Sequence, residues 1–158
     1  MNTKKIINVW EICASLWVLY IFLWSLPYKF TWHPHTENIF WTIGTWMSET
    51  ISLSVGNAFS SYGAYVIWTL ELIVSIILIA ALYFTARKMN DTASLFFGVW
   101  WLGAMFLMIG AVFFHLVTPL GIEVNDDGGS LFRAAVSIVC IWWVFFAYNF
   151  SNLKKKFL

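Results

Sequence analysis

Ionisable side chains are scarce in this chain, and four of them fall within or beside long apolar stretches: Lys29, Glu71, His115 and Arg133. One carboxylate, one imidazole and two cations are the groups that move protons and stabilise negative charge on a bound oxygen. Ser75 lies four residues after Glu71 and so shares its face on a helix. His115 shares a face with Ala111, Met108 and Ala104, and small residues there let another helix come close. Gly103 and Gly110, seven apart, mark a second close-approach face of the same segment. Further on, Asp126-Asp127-Gly128-Gly129 sets two carboxylates beside glycines that permit tight turning and close approach to a ligand or partner.

Metal chemistry is not expected. His33-Pro34-His35 offers two imidazoles without a third nearby ligand. Residues 123–128 echo the first half of a calcium loop, but Ala134 stands where the closing Glu belongs. Cys13 and Cys140 sit in apolar stretches without CxxC spacing and read as small apolar side chains. The two cysteines fall in the first and last apolar segments at depths that argue against a disulfide. No phosphate-binding glycine loop, serine-nucleophile motif or pair of haem histidines appears.

The elements that must position these groups follow from composition. Of 158 residues, 61% are hydrophobic, 20% aromatic and 11% charged, and mean hydropathy is +0.76. A soluble domain carries about 25% charged residues, so a water-soluble enzyme, a nucleic-acid binder and a disordered regulator are excluded. Net charge is +1, which gives no global attraction to an anionic partner. The length allows one domain. A membrane-spanning helix needs about 20 mostly apolar residues, and four stretches qualify: about 6–26, ending before Pro27, then 64–86, 94–118 and 131–150. The first is too long for a signal-peptide core, lacks a small-residue cleavage site and reads as an uncleaved anchor. The prediction is an all-α, four-transmembrane-helix bundle forming one integral membrane domain over residues 1–158.

Basic residues set the orientation. Lys4, Lys5, Arg87, Lys88, Lys154, Lys155 and Lys156 fall on one side, and Lys29 and Arg133 on the other. The positive-inside rule makes the seven-residue side, with both termini, cytoplasmic. Glu11, near the cytoplasmic edge of the first span, reads as a salt-bridge partner for inner basic residues. The outer connections are then 27–63 and 119–130. The longer one holds Trp41 and Trp46 among apolar residues interrupted by Ser and Thr. It is too polar to span, and is expected to form a short interfacial or capping helix on the outer side.

A charge at a helix centre in lipid costs about 2.5–3.5 kcal/mol on insertion scales. Lys29, Glu71, His115 and Arg133, one from each span or its end, lie toward the outer leaflet, with Asp126 and Asp127 above them. They fit either an outward-facing polar pocket for a ligand or a set of ion pairs and snorkelling cations that fix helix register.

Residues 26–40 (LPYKFTWHPHTENIF), the Glu71 segment LELI, the His115 segment GAVFFHL and the turn LGIEVNDDGGSLF together resemble the DoxX family of small four-helix membrane proteins. The resemblance runs over residues 9–148. In the family pattern a Lys after the first span, a Glu in the second, a His in the third and an acidic-Gly-Gly turn recur, matching Lys29, Glu71, His115 and Asp126 to Gly129. The stretch from Trp32 to His35 departs from the pattern and takes no role from it. The resemblance implies a bacterial inner-membrane location and association with quinone-linked redox systems. The expectation is a membrane subunit that holds a quinone or another amphipathic molecule between Lys29, Glu71, His115 and Arg133. His115 and Glu71 would exchange protons with it, and an oxidoreductase partner would supply electrons. A non-catalytic assembly or accessory subunit is the alternative. A transporter for a small solute or lipid is a third reading, and with four spans it would require a homo-oligomer.

Overall fold

Pro27 does not end the first helix of the computed structural model, which describes residues 9–157, with side chains for 12–144. Helix α1 (Val9–Phe30) runs through it, beyond the boundary that the sequence predicts. Proline removes one backbone donor. Two hydroxyls bond carbonyls on either side of the break: Ser25 donates to Phe22 O (2.9 Å) and Thr31 to Pro27 O (2.8 Å).

The connection 27–63 is likewise more ordered than expected. It comprises the end of α1, helix α2 (Pro34–Thr50) and the first turns of α3 (Leu53–Ala86). Proline at the start of α2 needs no N–H there. The hydroxyl of Ser52 caps α3 by accepting from the Val55 N–H at 3.3 Å. Only two residues separate the helices, so α2 folds back along α3. Glycines permit the closeness: a Cβ on Gly44 would stand 2.7 Å from the Gly56 carbonyl, and one on Gly63 would stand 2.8 Å from the Phe40 ring. The Ser and Thr residues that read as interruptions do not break the hairpin. Ser48 Oγ bonds the Gly44 carbonyl of its own helix (3.0 Å) and faces Gly56. At about 1.5 Å per residue, the 34 residues of α3 extend about 51 Å. That exceeds the roughly 30 Å hydrocarbon core, so one end of α3 can carry α2 beyond it.

Helix α4 (Asn90–Val117) returns antiparallel to α3, and α5 (Ser130–Phe157) packs on α4. Helix α3 is central, with α1, α2 and α4 against it, while α1 barely touches α2 or α5. Gly103 seats Val74 of α3; Gly110, the other expected close-approach glycine, meets nothing. The core is formed by Val18, Phe22, Leu78, Trp100 and Ile138, all fully buried. A second cluster of Ile43, Leu120 and Val124 joins α2 to the 118–129 segment.

Every element among the described residues is helical. Three helical stretches, Ile12–Phe30, Leu53–Ala86 and Asn90–Val117, are long and apolar enough to cross a membrane. Large apolar side chains such as Leu95, Leu102 and Phe106 are exposed along α4, the composition of a lipid-facing surface. These features mark an integral membrane protein. The apolar described part of α5, Ser130–Val144, is shorter than such a span. Lys4, Lys5 and the side chains of Glu11, Lys154, Lys155 and Lys156 lie outside the described residues, as do the side chains of 145–150 in the expected fourth span.

Candidate functional site

Continuation of α1 through Pro27 sets Ser25 and Lys29 four residues apart on one face. Lys29 occupies the last turn, where the helix dipole favours a cation. Its Nζ donates to both carboxylate oxygens of Glu71, at 2.6 and 2.7 Å, and to Ser25 Oγ at 3.1 Å. The Glu71 side chain is 3% exposed and that of Lys29 is 20% exposed. Ser25 Oγ also lies 3.2 Å from Glu71 Oε2. Its single proton serves either that oxygen or the Phe22 carbonyl. Ser75 does not reach the carboxylate: its hydroxyl donates to the Glu71 backbone carbonyl at 2.7 Å. The result is a neutral, mutually satisfied cluster in apolar surroundings, the condition under which a buried charge is tolerated.

His115 is buried near the end of α4, with Nδ1 2.7 Å from the Gly121 carbonyl. A carbonyl only accepts, so Nδ1 carries a proton, and in the neutral ring Nε2 is left as an acceptor. Gly121 has φ of 72°, a left-handed conformation that glycine adopts without strain. The imidazole also meets Phe132 edge-on, with ring centroids 5.6 Å apart.

Arg133 does not join this group. It is exposed on the first turn of α5 and does not line the cavity described below. The acidic turn also stands apart. Asp127 Oδ1 accepts from the N–H groups of Gly129 (2.7 Å) and Val124 (3.2 Å). Its Oδ2 accepts from Leu131 N–H and Ser130 Oγ, both at 3.0 Å. Partial burial raises the carboxyl pKa, but the bonds from Leu131, Gly129, Val124 and Ser130 outweigh it and hold the group below its ordinary value. Asp126 is exposed, at φ 57°. Neighbouring Asn125 ties the turn to α2, accepting from Asn38 (2.8 Å) and donating to the His35 carbonyl (3.1 Å). Asp127 therefore starts α5, and Asn125 fastens the turn to the hairpin.

Lys29, Glu71 and His115 line one cavity of about 570 Å³, together with Ser25 and Thr36. Its walls are otherwise chiefly apolar, including Phe22 of α1, Phe40 and Ile43 of α2, Phe59 of α3, Phe114 of α4 and Ala135 of α5. The size lies within the roughly 300–1,000 Å³ of small-molecule sites. The Thr36 hydroxyl is engaged by the Tyr28 carbonyl at 3.0 Å. That leaves the Nε2 of His115 open to an occupant, and the partly exposed Lys29 ammonium only where it exchanges one of its three bonds. Sequence reasoning missed Ser25, because a helix ended at residue 26 leaves no face for it to share with Lys29; the four-residue spacing was the signal. The rings of His33 and His35 meet edge-on at 4.8 Å. Among the described residues no three His, Cys, Asp or Glu side chains are grouped to hold a metal. Compared with protein-family models, with curated proteins and with solved structures, the chain has no match.

Proposed function

We propose that this chain is a DoxX-like membrane subunit of a quinone-linked redox system, holding an amphipathic small molecule beside Lys29, Glu71 and His115. The observation that carries the reading is the mostly apolar cavity of about 570 Å³ with a partly buried cation and a buried carboxylate and imidazole on its walls. In this reading α1, α3, α4 and α5 form a four-span bundle of a bacterial inner membrane, with both termini cytoplasmic. The α2 hairpin caps the outer side.

The quinone–quinol couple fits these polar groups: its ring suits apolar walls, a carbonyl oxygen accepts from the Lys29 ammonium, and a quinol hydroxyl donates to His115 Nε2. When bound it would supply reversible two-electron, two-proton chemistry, with electrons from an oxidoreductase partner. The Lys29 ammonium offers positive charge where an oxygen gains negative charge. His115 Nε2 accepts a hydrogen bond or a proton, while the Gly121 carbonyl fixes the ring through Nδ1. Glu71 orients and neutralises Lys29. The non-catalytic accessory-subunit reading is favoured by one observation, that Lys29 already donates to Ser25 and to both oxygens of Glu71.

Native mass spectrometry of gently extracted protein separates the two. The expected result is a co-purified molecule of several hundred daltons. His115→Gln should melt like the parent and hold that molecule roughly tenfold more weakly, the worth of about one hydrogen bond. Wild-type protein without a bound molecule, or unchanged retention in His115→Gln, overturns the ligand reading in favour of the accessory subunit.

A further inference from the structure

The wall of this cavity is incomplete on the side that faces lipid. Phe106, Ile109 and Phe113 line it, and their spacing of three and four residues puts them on one stripe of α4. The same stripe is exposed at the molecular surface, Phe106 by 74%. Gly110 lies within it and also lines the cavity, and a Cβ built there meets nothing within 4 Å. On α5, Leu131 likewise both lines the cavity and is exposed. The stripe belongs to a helix long and apolar enough to cross a membrane, so what lies outside the opening is hydrocarbon.

We infer that the cavity opens sideways into the bilayer at Gly110, and that its ligand is a lipid-dissolved molecule with a compact polar head and one hydrocarbon tail. The head lies inside, with an oxygen against Lys29 or His115. The tail leaves past Gly110, between Phe106 and Phe113. A tail exchanging acyl chains for the apolar side chains of this stripe gains little from the transfer itself, since both surroundings are equally apolar. Its effect is to concentrate the ligand in the bilayer beside the opening, and the head then decides which lipid-soluble molecule is kept. This inference rests on the reading of the cavity as a ligand site.

The test uses decylubiquinone carrying a diazirine at the tail end, photolysed with the protein in phosphatidylethanolamine–phosphatidylglycerol nanodiscs, with adducts mapped by mass spectrometry. Wild-type protein should be labelled at positions 106–113. Gly110→Phe, which plugs the opening, should lower that labelling about tenfold. Gly98→Phe should not, since that position is equally open but does not line the cavity. If Gly110→Phe fails to fold, Leu131→Trp narrows the opening from α5 and carries the same expectation. Folded plugged variants that label like wild type overturn the sideways opening and leave the ligand site standing. Labelling that is insensitive to Lys29→Met, or absent in wild type, overturns the ligand site and the opening together.

Discussion

Lys29 Nζ lies within 2.7 Å of both carboxylate oxygens of Glu71, 42 residues further along the chain. The pair fastens the last turn of α1 to the middle of α3 in apolar surroundings, so neither member can be removed without consequence for the other.

A double-mutant cycle reads out that coupling. Lys29→Met alone leaves the buried Glu71 carboxylate unpaired and should lower unfolding free energy by about 3–5 kcal/mol, whereas Glu71→Leu leaves a partly exposed ammonium and should cost less. The combined variant removes the charges together and should recover most of the loss. Thermal unfolding in detergent is the measurement. Additive losses in the double variant would show that the two side chains act independently.

The α2–α3 hairpin depends on Gly56. A Cβ there would collide with the Gly44 carbonyl and the backbone nitrogen of Ser48, which are backbone atoms that cannot swing aside. Gly56→Ala should loosen α2 and speed proteolysis in the link at residues 51–52. Gly98→Ala, with nothing within 4 Å, should stabilise by roughly 0.5–1 kcal/mol through helix propensity. Equal behaviour of the two variants would rule out close hairpin packing.

Asp127 gives a pH dependence with a definite sign. Its carboxyl pKa is depressed in the folded protein, so its contribution is complete above the unfolded value near 3.9 and is lost as pH falls through the folded value. Asp127→Ala should cost about 1 kcal/mol at neutral pH, the usual worth of a helix cap. The gap between variant and wild type should shrink below about pH 4. Melting curves from pH 7 to 3 provide the check, and a gap that stays constant contradicts this origin.

Topology is tested by cysteine labelling. In a background lacking Cys13 and Cys140, Asn90→Cys and Glu123→Cys flank α4 at its two ends. A membrane-impermeant thiol reagent should reach them from opposite sides, with Asn90→Cys labelled only after the cytoplasmic face is opened. Labelling of both from one side would remove α4 from the list of spans.

The membrane character of the chain, its helices and the interest of Lys29 and Glu71 were legible in the sequence. Solvent preference is a property each residue carries with it: a long apolar run must meet lipid, and a carboxylate inside one needs a partner. Which partner was not legible. Lys29 and Arg133 were equal candidates until helix rotation and axial offset put one against Glu71 and the other on the surface. A step of one residue turns a side chain by about 100° and moves it about 1.5 Å along the axis, and a linear string records neither quantity relative to another helix. A more local limit hid the face shared by Ser25 and Lys29, which exists only if α1 continues past Pro27. The task of Asp127 was hidden likewise, because its carboxylate meets four local donors only once the backbone of residues 124–131 turns back on it. Glycine spacing suggested close approach at Gly103 and Gly110 alike. Only tertiary packing placed Val74 against the first and left the second facing open space, because a glycine permits contact and the neighbouring helix decides whether contact is made.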